Sequence, residues 1–164
     1  MATATQAHLP ALDEHRRGEV GHELQATLVE LVDLSLLGKQ LQWNIYGRPF
    51  KPLHEHLDEL VDSWRDLSDT VAERAVALGV APDGRAATVA AGSGIEPVDS
   101  GSLDTDSATH QLVERLADVT ERIRSRMDRL GEIDLVSQDV LIEALRELEK
   151  QQWMLRVSLP AGGA

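Results

Sequence analysis

Two long stretches of helical apolar periodicity, an interval over residues 80–106 that breaks it, and two further periodic stretches leave this chain few folds. In the first stretch, expected as a helix over 18–46, Leu24, Leu28, Leu31 and Leu41 mark one side, and Val29, Val32, Leu36 and Leu37 widen it. An apolar arc this wide predicts burial by several neighbours. The segment GRPFKP (47–52) ends that helix: Gly47 suits a left-handed cap and Pro52 suits the first turn of the next helix. A second helix is expected over 52–78, with Leu57, Leu60, Val61, Trp64, Leu67, Val71, Ala75 and Leu78 at helical spacing and Gly79 as its stop.

The interval 80–106 is rich in Gly, Pro, Ser and Asp, and its RAATVAA (85–91) has room for a short helix. A connection of that length is uncommon unless it holds structure or has a task. A third helix follows over 107–130, with Asp106 or Ser107 as N-cap and Leu112, Leu116, Val119, Ile123, Met127 and Leu130 in period. The fourth, over 135–158, carries Leu141, Leu145, Leu148, Trp153, Met154 and Val157, and Pro160 ends it. Aromatic residues make up only 3% of the chain, so its core is aliphatic, which suits helix on helix. The expectation is an all-α, ferritin-like four-helix bundle with one long crossover over 18–159, between a flexible tail at 1–17 and a short tail at 160–164.

Function classes narrow next. Without cysteine there are no disulfides and no thiolate metal sites, which fits a reducing cytoplasm. No run approaches the roughly 20 apolar residues that span a membrane, and the first residues lack a signal-peptide pattern. A cytoplasmic setting is expected. The formal charge of −12 repels nucleic acid and anionic lipid and attracts cations.

Within the second helix, HEHLDELVDSWRDLSDTVAER (54–74) is heavily acidic beside its apolar face. With His54 at zero on a helical wheel, Asp58 lies at roughly 40°, Asp69 at roughly 60° and Glu73 at roughly 100°. His54 and Asp58 are four apart, as are Asp69 and Glu73, so each pair resembles half of a site for Fe2+, Mn2+ or Zn2+. The halves stand roughly 16 Å apart along the axis, too far to share one ion with bonds of about 2 Å. Two copies packed with this helix antiparallel across a two-fold axis would instead join one copy's His54 and Asp58 to the other's Asp69 and Glu73, twice per pair. The plainer reading is a solvated acidic face, to which Asp62 and Asp66 belong; His56, across the wheel, is structural or exposed. An in-chain di-iron site would need Glu-x-x-His on two helices, but only EVGH (19–22) matches and the fourth helix has no histidine.

The stretch 39–79 resembles the Dps family of miniferritins. Lys39, Trp43, Gly47, Phe50, Leu53, His54, Asp58, Asp69, Glu73, Arg74 and Gly79 fall in the family's pattern, and the helical layout extends the likeness over nearly the whole chain. The resemblance implies a shell of twelve subunits with ferroxidase centres at two-fold interfaces. Fe2+ would be oxidised there, preferably by hydrogen peroxide over dioxygen, and ferric oxide stored inside against oxidative stress. His54, Asp58, Asp69 and Glu73 would be the ligands, with Zn2+ as another ion the site accepts.

One departure stands out: the family's histidine before Trp43 is Gln42 here. An amide is a weaker ligand, so Gln42 either serves a weak second iron position or supports the site without touching metal. The resemblance also implies pores lined by acidic residues near the start of the fourth helix, where Asp134, Asp139 and Glu143 are candidates; favourable charges at a helix N-terminus explain them as well. Trp43 and Trp153 either intercept oxidising equivalents near the iron or simply pack.

Two rival functions remain. A nucleoid-associated DNA-binding protein needs clustered cations, but residues 1–22 hold Arg16 and Arg17 against Asp13, Glu14 and Glu19, and PAGGA (160–164) holds none. Direct DNA binding is therefore not expected at neutral pH, although His8, His15 and His22 would gain charge in acid. The other rival is a shell with impaired oxidation, for which Gln42 is the only support.

Overall fold

In the computed structural model, which describes residue 10 and residues 12–160, the order of elements is α1 (Glu14–Asn44), β1 (Ile45–Tyr46), α2 (Phe50–Ala77), α3 (Ala86–Gly92), β2 (Leu103–Asp104), α4 (Thr105–Gly131) and α5 (Leu135–Ser158). Helices α1 and α2 pack on each other, as do α4 and α5, and the two pairs close a four-helix bundle. The crossover carries α3 against α1. Its far end returns beside the end of α1, where β2 pairs in parallel with β1, Ile45 opposite Leu103.

The ends of the helices follow local chemistry. Asp13 caps α1 by accepting from the Arg16 amide at 2.9 Å, so residues 13–17 belong to the first helix and its cap rather than to a tail. The remainder of both expected tails lies outside the described residues, His8 included, apart from the exposed Pro10, the half-buried Leu12 and the exposed Pro160. Helix α1 ends at Asn44, two residues short of the expectation, and Gly47 takes its left-handed φ of 98° beyond β1. Gly79, at φ 77°, stops α2 as expected, with the Gly79 and Val80 amides returning to the Val76 and Ala75 carbonyls. Asp104 caps α4 through the amides of Asp106 and Ser107, which places both expected caps inside the helix.

The core is the aliphatic stripe of all four helices around Trp64, which is fully buried and donates its indole N–H to Gln151 at 2.8 Å. Gly38 lets α1 and α2 meet there: a Cβ on it would lie 2.6 Å from Val61 Cγ2 and 2.7 Å from Trp64 Cζ3. Glu30 is buried as well, on the apolar arc of α1, and pairs with Arg122 and Arg126 of α4.

Four expected core residues face outward: Leu36 (57% exposed), Trp153 (55%), Met154 (41%) and Val157 (62%). In α5 the buried stripe is Leu141, Leu145, Leu148 and Leu155, and Trp153 and Val157 stand roughly 120–160° round the wheel from it. A single bundle cannot bury both sides of that helix.

Candidate metal centre

The first turns of α2 pack beside the last turns of α1, which brings His54 and Asp58 to Lys39, Gln42 and Trp43. His54 Nδ1 lies 3.2 Å from the Gln42 backbone carbonyl oxygen. A carbonyl only accepts, so the imidazole proton sits on Nδ1 and the lone pair on Nε2 is left for a ligand role. The Phe50 ring, 5.2 Å from the imidazole, packs on the same side chain. Gln42 is 3% exposed; its amide nitrogen donates to the His54 carbonyl at 3.2 Å and its Oε1 accepts from Lys39 Nζ.

Lys39 reaches further, donating to Asp58 Oδ1 at 2.9 Å with Nζ 5.8 Å from the centre of the Trp43 ring. The lysine ammonium, assisted by the Gln42 amide and His54 and opposed by desolvation, holds the Asp58 carboxyl below its ordinary range. It is therefore a carboxylate at neutral pH with one oxygen already occupied by a cation. Trp43 is 70% exposed beside this cluster.

Asp69 and Glu73 lie on the same helix, three turns and more beyond Asp58. Both are exposed, and among the described residues neither forms an ion pair. Within one chain no three His, Asp or Glu side chains converge on a point among the described residues. The chain thus presents one half-site of imidazole and carboxylate and one of two carboxylates. Glu19 and His22, the lone Glu-x-x-His, are exposed on α1, and the bundle interior holds the Glu30–Arg126 pair instead.

Beside the cluster runs an open groove of about 670 Å³, with Leu36, Trp43, Lys39 and Arg65 on one side and Ile95 and Val98 of the crossover on the other. His56 is separate, with Nδ1 3.3 Å from Glu59. Trp153 stands on the outer side of α5, 55% exposed. Of the three pore candidates, Asp139 and Glu143 are exposed. Asp134 is committed elsewhere: its Oδ2 accepts from the Ser137 amide at 3.1 Å, from the Ser137 hydroxyl at 2.5 Å and from Arg74 at 2.6 Å. Burial works against its charge, and these donors outweigh it, so its carboxyl is held below the usual range.

Sequence reasoning named Lys39 only as part of a pattern and missed its bridge to Asp58. The available signal was its place three residues before Gln42 on one helix. It also missed Glu30, a lone acid in register with Leu34 and Leu37, facing Arg126 in register with Ile123 and Leu130.

Known proteins agree with this architecture. The ferritin-like domain family matches residues 22–159. A "DNA protection during starvation protein" of Mycolicibacterium smegmatis is 34% identical over 162 residues, covering 97% of this chain and 87% of the relative. The "Fine tangled pili major subunit" of Haemophilus ducreyi is 36% identical over 148 residues, 87% of this chain and 76% of the relative. A solved Dps from Microbacterium arborescens, in what is described as its high iron form, superposes with a TM-score of 0.86 at 32% identity, covering 92% of this chain and 98% of that one. With its fold, its helical stripe and these likenesses in agreement, the chain belongs to the Dps family of ferritin-like proteins.

Proposed function

We propose that this protein is an iron-storing miniferritin whose ferroxidase centres form between subunits. The observation that carries the reading is the division of ligands along α2: His54 with Asp58 at one end, Asp69 with Glu73 at the other, and no in-chain convergence among the described residues. A two-fold pair completes two centres at once, and it covers the groove that leaves Leu36 and Trp43 exposed.

Fe2+ is the substrate. The Nε2 lone pair of His54 and the Asp58 carboxylate supply one side, and Asp69 and Glu73 of the second copy supply the other. Three carboxylates favour the harder, more highly charged ferric product over the ferrous substrate. Two ferrous ions give one electron each to one hydrogen peroxide, whose O–O bond breaks. Hydrolysis of the two ferric ions to oxyhydroxide takes up two waters and releases four protons. The family resemblance supplies the closed shell of twelve subunits that would keep this product, with Asp139 and Glu143 drawing cations toward an entrance. The net charge of −12 argues against direct DNA binding at neutral pH.

The deciding experiment loads purified protein with Fe2+ anaerobically, adds hydrogen peroxide, and follows ferric absorbance and iron retention on a sizing column. Rapid oxidation with iron co-eluting in a twelve-subunit particle is the expected result. Oxidation no faster than in buffer, with iron lost, would leave the impaired shell as the better reading.

A further inference from the structure

At the start of α1, far along the helix from Gln42, the residues His15, Glu19 and His22 share one side. With His15 at zero on a helical wheel, Glu19 lies at roughly 40° and His22 at roughly 340°, and Glu19 stands between the two imidazoles along the axis. All three side chains are exposed. His15 Nε2 and Glu19 Oε1 are 3.5 Å apart. Two donors bonded to one tetrahedral ion at about 2.1 Å stand about 3.4 Å from each other, so this pair already has the spacing of one edge of a zinc site. His22 follows Glu19 by three residues, which makes them neighbours on the helix surface. The three donors do not meet at one point as they stand. His22 joins the pair by rotation of an exposed side chain, with the helical backbone unchanged.

The surroundings keep the space open. The three residues line a surface cavity of about 510 Å³ together with Gly18, Glu23 and Arg129. Glycine inside a helix is unfavourable, and packing does not require it here, since a Cβ on Gly18 would meet nothing within 4 Å. What Gly18 supplies is an empty floor beside His15 and His22. Arg129 is kept off Glu19 because its Nε and Nη2 donate to the two Glu23 oxygens, each at 2.8 Å. Among the described residues the one ion pair of Glu19 is with His15.

We propose that His15, Glu19 and His22 bind one Zn2+ per subunit, with water as the fourth ligand, at a site separate from the half-sites of α2. Two imidazoles and one carboxylate are a donor set that suits Zn2+, whereas Mg2+ and Ca2+ call for oxygen donors throughout. A bound ion ties the first turns of α1 together. The proposal does not depend on the ferroxidase reading.

The test is a calorimetric titration of the assembled full-length protein with Zn2+, in a background in which Asp58→Asn, Asp69→Asn and Glu73→Gln disable the half-sites of α2. One Zn2+ per subunit should still bind. Adding His22→Gln, or His15→Gln, should weaken that binding by roughly tenfold or more, and Mg2+ should not compete for it. Substituting Co2+ for Zn2+ should give a visible absorption band that disappears in His22→Gln. No binding in the disabled background, or binding that His15→Gln and His22→Gln leave unchanged, overturns the proposal and leaves the ferroxidase reading standing. If the disabled background fails to assemble, the comparison is made in the wild type: His15→Gln with His22→Gln should lower the bound Zn2+ by one per subunit, and an unchanged stoichiometry overturns the proposal.

Discussion

Mixing two inactive variants should restore activity in a fixed proportion if the centre is shared between copies. Asp58→Asn disables the half-site with His54, and Asp69→Asn with Glu73→Gln disables the other. All three positions are exposed on α2 and the replacements are isosteric, so the fold is retained. Each variant alone should lose tight metal binding at every centre. In a mixed pair, one centre combines both defects and the other combines two intact halves. Random pairing makes half of the dimers mixed, each with one working centre in two, so about one quarter of the wild-type centres return. The assay is co-refolding of the variants at equal ratio, then Co2+ titration and peroxide-dependent ferric absorbance per subunit. Recovery near one quarter supports the two-fold site. No recovery in a mixture shown to co-assemble would refute the division of ligands, since ligands within one chain cannot be complemented by another.

Gly38→Ala should destabilise the subunit by about 1–2 kcal/mol in urea unfolding at fixed protein concentration: the added Cβ presses on Val61 and Trp64, which are 1% and 0% exposed, and this outweighs the gain of about 1 kcal/mol in helix propensity. Glu30→Gln should cost about 3 kcal/mol, because Arg126 is left with a buried and unbalanced charge, and adding Arg126→Gln should recover part of the loss. Asp134→Ala should cost about 1–2 kcal/mol at neutral pH by removing the α5 cap and the partner of Arg74. Because the folded state holds Asp134 below the usual carboxylate range, that contribution is complete above about pH 4–5 and fades as the pH falls through the lowered value; melting curves of wild type and variant should converge in acid.

Much of the bundle was legible because apolar periodicity and helix punctuation are local properties. The span of α5, residues 135–158, followed from GEID and Pro160 at its borders, and Gly79 ended α2 as a left-handed cap must. The short helix in the crossover was visible in RAATVAA, which the structure holds as α3. Periodicity could not say which of two apolar sides on α5 the bundle would take, and so Trp153, Met154 and Val157 were placed in the core when the structure leaves them outside. Nor could it show that the long crossover returns to pair with β1, since that contact joins residues far apart in the chain.

The sequence by itself determined the all-α class, the stripe of His54, Asp58, Asp69 and Glu73, and the impossibility of one chain closing a metal site with both halves. These follow from helical rise and angle alone. Only the tertiary structure decided what Gln42 and Lys39 do. Whether an amide ligates, donates or braces depends on which groups its buried side chain meets, and those groups arrive from a neighbouring helix: the His54 carbonyl at 3.2 Å, and Asp58 across the shared lysine at 2.9 Å.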